Sequence, residues 1–257
     1  MKSSITTTYL RLLLSITLFT QTGCFSSPPP FSSPQIVADR AIEILEDGNA
    51  RFTRGESTHP NQSQERVKMV APKQAPFAII LSCSDSRVPP EVIFDQGIGD
   101  LFVVRTAGHV PDDAGIASIE YAVEHLGVRT IVVMGHESCG AVKAAMSTPE
   151  GKSAGSPSLD LLVSAIRPSV AHSSLGAPGD PNIRVPVIAN VNAVAKDLLQ
   201  KSEILREFAE QKKLYFARAI YGLENGEVTF WDMGYPEVAH PTNKEHSKAE
   251  DHSKTHH

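Results

Sequence analysis

The stretch VRTIVVMGHESCGAV occupies residues 128–142. Between Arg129 and His136 it is uncharged, apolar and rich in β-branched residues, and it is the length of a strand. A continuous apolar run of this kind is how a strand buried on both faces reads, and such strands belong to parallel sheets. Beyond GHES the pattern changes to CGAVKAAM, residues 139–146, a run of helix formers. Strand, short turn, helix is the unit of an α/β fold.

Two more apolar runs flank this one: PFAIILSCS at 76–84 and GDLFVVRTAG at 99–108. DDAGIASIEYAVEHLG, residues 112–127, predicts a helix. Asp112 or Asp113 can cap it, Ile116, Ile119, Val123 and Leu126 form its stripe, and Gly127 ends it. Residues 36–52 carry apolar residues at helical spacing, and 187–213 read as further helix. LYFARAIYGLENGEVTFWDMG, 214–234, reads as a hairpin with Asn225-Gly226 as its turn. KSAGSPS and HSSLGAPGDPN are loops. The expectation is an α/β fold: about four parallel strands plus an antiparallel edge strand, covered by helices. Ligands of such sheets sit at the carboxyl ends of the strands.

The chain has 257 residues, 41% hydrophobic and 21% charged, as an ordinary globular domain does. Its formal net charge is −5 and it holds no block of Lys or Arg, which excludes an electrostatic case for nucleic acid or an anionic membrane surface. At the N-terminus, Lys2 and Arg11 precede an apolar stretch from Leu12 to Thr20. It is too short to span a bilayer and fits the core of an export signal. The signal closes on TGC, so residues 1–24 are expected to be a signal peptide with Cys24 as lipid-attachment site, and a plainly cleaved signal is the alternative. Residues 25–35 are a Pro/Ser-rich tether, 36–236 the folded domain and 237–257 a His-rich tail. The implied location is the periplasm or the exterior, with membrane contact only through the lipid.

Setting Cys24 aside leaves two cysteines, Cys83 and Cys139. In an exported protein they can form a disulfide. A different chemistry is suggested by their placement. Cys83 ends one apolar run, and His136 and Cys139, three apart, follow another at the start of a helix. One helical turn brings i and i+3 to the same face. Thiolate and imidazole donors together suit zinc, and three protein ligands with one open position make a catalytic site. Asp85 and Arg87 follow Cys83 at spacings of two, so in extended backbone both point the same way.

CSDSR at 83–87 and HESCG at 136–140 together resemble the signature of the β-class carbonic anhydrases, and the likeness extends from GNARF at 48 to GEVTFWD at 226. The resemblance implies a zinc enzyme that interconverts carbon dioxide and bicarbonate through zinc-bound hydroxide, built as a homodimer or larger homo-oligomer. It implies one zinc per chain on Cys83, His136 and Cys139. Asp85 accepts a hydrogen bond from the hydroxide and Arg87 pairs with Asp85, while in a closed state Asp85 itself becomes a ligand. Gln74, nine residues before Cys83, matches the subtype whose zinc stays open, and Ile80 stands where the regulated subtype has Trp. Gln74, Phe102, Ala107 and Tyr121 are implied at the substrate pocket. The backbone N–H of Gly140, at a helix N-terminus, can receive charge building on a bicarbonate oxygen. After TAG the family usually has Asn, and here it is His109. His109 can act as a proton shuttle or, the favoured reading, as a hydrogen-bonding replacement. The competing functions are hydrolysis of carbon disulfide or carbonyl sulfide on the same fold, or a non-catalytic exported protein with a disulfide or a closed zinc.

Overall fold

The computed structural model describes residues 34–171 and 183–237, with side chains from residue 40 onward. The signal peptide, Cys24, the Pro/Ser tether up to Ser33, the HSSLGAPGDPN loop and all but the first residue of the His-rich tail lie outside the described residues.

Five strands form one sheet: β1 (Ala78–Cys83), β2 (Leu101–Thr106), β3 (Thr130–His136), β4 (Tyr215–Tyr221) and β5 (Val228–Gly234). Their spatial order is β2-β1-β3-β4-β5. The first four are parallel, and β5 pairs antiparallel with β4 at the edge. Every residue of β1 and β3 is buried, which is why their sequences show apolar runs and no alternation. All six residues of β2, at the opposite edge, are half-buried.

Alternate residues of the central strands feed two separate cores, one on each face. Ile79, Leu81, Ile131 and Val133 pack under α4 (Asp113–Glu124), α5 (Gly140–Ser147), α6 (Pro157–Val170), α7 (Arg184–Lys201) and α8 (Glu203–Glu210). Ile80, Val132 and Met134 pack with Ile42 and Leu45 of α1 (Pro34–Arg54) and Ile93 of α3 (Pro90–Ile93). The short α2 (Gln64–Val70) buries no side chain. Cys83 has the parity of Ile79 and Leu81, so it faces the thicker helical layer, as does Cys139.

Asp112 is the residue that caps α4, its carboxylate accepting from Gly115 N at 2.8 Å. The helix closes at Glu124, before Gly127, whose φ of 73° turns the chain toward β3. Most of residues 187–213 is helix, divided between α7 and α8. Ser202 ends α7 and caps α8, accepting from Leu205 N at 3.1 Å. The hairpin turn is also longer than Asn-Gly alone, spanning residues 222–227. Gly222 N donates to Glu227 O at 2.8 Å and Gly226 N to Gly222 O at 2.9 Å. Asn49 of α1 pins this loop, donating to Gly226 O (2.9 Å) and accepting from Val228 N (2.8 Å). A tertiary contact thus overrides the local two-residue turn signal. Helix α6 was not expected from the sequence.

The strand order contains a switch point. From β1 the chain moves outward to β2, then crosses back over β1 to β3 and continues the other way to β4. The crevice between the carboxyl ends of β1 and β3 is where such a sheet places its ligand. Cys83 is the last residue of β1 and His136 the last of β3.

Candidate functional site

The sulfurs of Cys83 and Cys139 and a ring nitrogen of His136 lie within 4.8 Å of one another, all in buried side chains. They are the one such group found among the described residues. Cys83 and Cys139 are free thiols, so no disulfide ties them. Cys139 arrives as the N-cap of α5, and Ser138, with φ of 55°, makes the left-handed step that turns the chain from His136 back to Cys139. His136 Nδ1 is 2.8 Å from the carbonyl of Glu137. A carbonyl only accepts, so Nδ1 carries the ring proton and Nε2 presents its lone pair. That Nε2 is buried with no hydrogen-bond partner.

The thiols are electrostatically unequal. Cys139 beside it, then His136 and the N–H groups of Asp85 and Gly108, pull the Cys83 thiol down against the opposing effect of burial. Cys83 in turn, with burial, pushes Cys139 up. A dication between them favours two thiolates. Two sulfurs and one bare imidazole nitrogen, all in buried side chains, fit zinc, and the orphaned Nε2 is the atom a metal would satisfy.

Asp85 lies against this group, its Oδ2 3.8 Å from His136 Nε2. Arg87 grips it: Nε donates to Oδ1 at 2.9 Å, a terminal nitrogen to Oδ2 at 2.7 Å and the backbone N to Oδ1 at 3.0 Å. The Arg87 hydrogen bonds hold the Asp85 carboxyl well below the usual carboxylate range, burial opposing them. Asp85 is therefore an ionised acceptor with its oxygens turned to Arg87. Arg87 itself is exposed.

Beyond these, Arg105 of β2 was not singled out in the sequence. It donates to the carbonyls of Cys83 (2.9 Å) and Asp85 (2.6 Å) and so fixes the loop that carries both. A single cation at the end of an otherwise apolar strand was its sequence signal. Gly108 N donates to Cys83 Sγ at 3.4 Å. His109 is fully buried, and burial draws its pKa down to about 4.

The remaining expected site residues divide. Gly140 begins α5, and a Cβ placed there would meet open space. Ala107 is exposed at the start of the turn after β2. Phe102 of β2 is half-buried against the helical core. Gln74 is exposed in the loop before β1, and Tyr121 is 48% exposed on α4, its ring 5.1 Å from that of His125. Among the described contacts, none joins Gln74 or Tyr121 to the cysteines or His136. Ile80 is fully buried in the layer opposite Cys83.

Residues 78–228 match the family model described as carbonic anhydrase. The chain is 50% identical over 130 residues to a carbonic anhydrase of Mycolicibacterium smegmatis, an alignment covering 51% of this chain and 63% of that protein. It is 56% identical over 107 residues to carbonic anhydrase 2 of Mycobacterium tuberculosis, covering 42% and 52% respectively. These alignments span between half and two thirds of the relatives' lengths. Among solved structures, the fold is similar to a tetrameric β-carbonic anhydrase of Sordaria macrospora. The TM-score is 0.58 at 26% identity, over 76% of this chain and 98% of that one.

Proposed function

Because the chain belongs to the carbonic anhydrase family, we propose that it interconverts carbon dioxide and bicarbonate with one zinc per chain on Cys83, His136 and Cys139. The observation that carries this reading is the convergence of three buried soft donors beside a carboxylate restrained by arginine. A structural zinc has no use for the Asp85–Arg87 pair. When bound, zinc supplies a Lewis acid that makes water nucleophilic near neutral pH, a chemistry for which carbonic anhydrases are the standing example.

The chain's own groups do the rest. Asp85, ionised, can only accept, so it would orient the attacking oxygen by accepting its hydrogen bond, leaving a lone pair toward carbon dioxide. Arg87 occupies both Asp85 oxygens and restrains the carboxylate from moving onto the metal. That arrangement supports the open form of the site. The backbone N–H of Gly140, in the first turn of α5, can receive the charge that builds on the product oxygen.

The working enzyme is read as a homodimer or a larger homo-oligomer. Support comes from β2, an edge strand half-buried along its whole length, and from Gln74, Ala107 and Tyr121, which stand at the surface of a single copy. Export with a lipid on Cys24 is a separate proposal resting on the N-terminal sequence, tested by the mass of the mature N-terminal peptide.

Stopped-flow hydration of carbon dioxide by protein of measured zinc content tests the central reading. Zinc-dependent turnover is expected. Turnover of carbonyl sulfide or carbon disulfide without hydration of carbon dioxide would overturn it.

A further inference from the structure

Behind Cys83 lies a buried polar chain that the reaction above does not use. Gly108, whose N–H reaches the Cys83 sulfur, has φ of 64°, and His109 follows with φ of 50°. Two successive left-handed residues, the second not glycine, persist only where their surroundings hold them.

Asn190, 1% exposed on α7, is what holds them. Its amide nitrogen is 2.9 Å from Gly108 O and 3.0 Å from His109 Nε2, and its oxygen accepts from Ser169 Oγ at 2.9 Å. The protonation of the group follows from these contacts. Gly108 O must receive a hydrogen, so the nitrogen end of the amide faces it. That nitrogen has two hydrogens and only donates, so His109 Nε2 must accept the second. The His109 proton therefore sits on Nδ1, which is buried without a hydrogen-bond partner. A doubly protonated ring would set N–H against N–H. The ring is held against Gly135, where a Cβ would come within 3.3 Å of His109 Cε1 and within 2.8 Å of Val187 and Val191 side chains. No other residue type fits there without displacing them.

We propose that Asn190 is a positioning residue for the metal ligand Cys83. It locks the Gly108–His109 turn, so that the Gly108 N–H stays on the sulfur, and His109 serves in this lock as a neutral acceptor instead of a proton carrier. The inference rests on Cys83 being a zinc ligand. Groups that hydrogen-bond a ligand from behind fix its direction and its donor strength, and their loss typically lowers metal affinity roughly 10–100-fold.

The test uses the full chain with zinc or cobalt alone. Asn190→Ala is compared with Val194→Ala, a cavity variant on the same helix that matches it for general destabilisation. Zinc affinity is measured by competition with a chromophoric chelator, and the ligand field by the visible spectrum of the cobalt-substituted protein. Asn190→Ala is expected to lose at least about tenfold in affinity and to shift the cobalt bands, while Val194→Ala changes neither. His109→Gln, whose Oε1 reaches about where the ring Nε2 stands and can accept from Asn190, is expected to keep wild-type affinity and spectrum. An Asn190→Ala protein indistinguishable from Val194→Ala in both readouts would overturn the proposal. Should Asn190→Ala fail to fold, nitrogen NMR of His109 in zinc-loaded wild type decides. A neutral ring protonated on Nδ1 between about pH 5 and 8 supports the lock, and a charged or Nε2-protonated ring refutes it. No readout involves carbon dioxide, so a protein with normal zinc affinity and no hydration would refute the proposed function alone.

Discussion

Arg87 donates to both carboxylate oxygens of Asp85, at 2.9 and 2.7 Å, from a side chain that stands mostly in solvent. As an isolated surface ion pair it would contribute little to stability. Its significance is positional, because the carboxylate it restrains is 3.8 Å from the free nitrogen of His136. Arg87→Ala should therefore leave zinc content near one per chain and lower kcat for carbon dioxide hydration by at least about tenfold, equivalent to roughly 1.4 kcal/mol. Activity within about threefold of wild type, roughly 0.7 kcal/mol, would reduce the pair to an ordinary ion pair.

Cys139→Ser removes one of two thiolates from the buried cluster. Serine remains protonated at neutral pH and is a poor zinc ligand. Metal analysis after dialysis should find most of the zinc gone and hydration lost with it. A variant that keeps both would remove Cys139 from the ligand set.

Arg105→Ala strips two donors from the carbonyls of Cys83 and Asp85. An unsatisfied buried acceptor costs about 1–3 kcal/mol. Urea unfolding of the metal-free protein should register a loss in that range. Zinc affinity should fall as well, since the loop between the ligand and the carboxylate is no longer fixed. Unchanged stability and unchanged affinity would show that water replaces the guanidinium without consequence.

Asp95 supplies the pH prediction. It is 2% exposed and accepts from Arg51 Nε (2.6 Å), Thr58 N (3.0 Å) and His59 N (2.9 Å). Burial acts to raise its pKa, but Arg51 and the Thr58 and His59 donors outweigh it and hold the group at about 2. The unfolded chain binds the proton more tightly, at a pKa of about 3.9. The stabilisation is thus full above that value and is lost as pH falls from about 4 toward 2. Asp95→Asn should be less stable than wild type at neutral pH, and the two unfolding free energies should converge through that acid window. Parallel curves would mean the carboxylate charge is not what holds this corner.

The core of the fold was legible because burial on both faces writes itself directly into β1 and β3 as unbroken apolar runs. The ligands were legible because they stand at the ends of those runs. What escaped depends on contacts between distant segments. The amphipathic stripe of α6, Val163, Ile166 and Val170, is framed by two turn-rich segments and carries Pro168 inside it, so local signals argued against a helix. Asn190 is the one buried amide of α7, among Val187, Val191 and Val194, and only the arrival of Gly108 and His109 from 82 and 81 residues away gives it a purpose. The Asn225-Gly226 turn was visible, but its length is set by Asn49, 177 and 179 residues earlier in the chain.

The switch point between β1 and β3 also sets an order of events. Neither strand contacts the other by local folding, because β2 and α4 intervene in sequence and must first be laid to one side. Non-local strand pairing of this kind closes late and slowly. Cys83 and His136 are therefore strangers until the middle of the sheet zips shut, and the pocket for the metal comes into being with that closure. Metal capture becomes a chronometer of folding: the appearance of cobalt d–d absorption during refolding dates the moment the central strands meet.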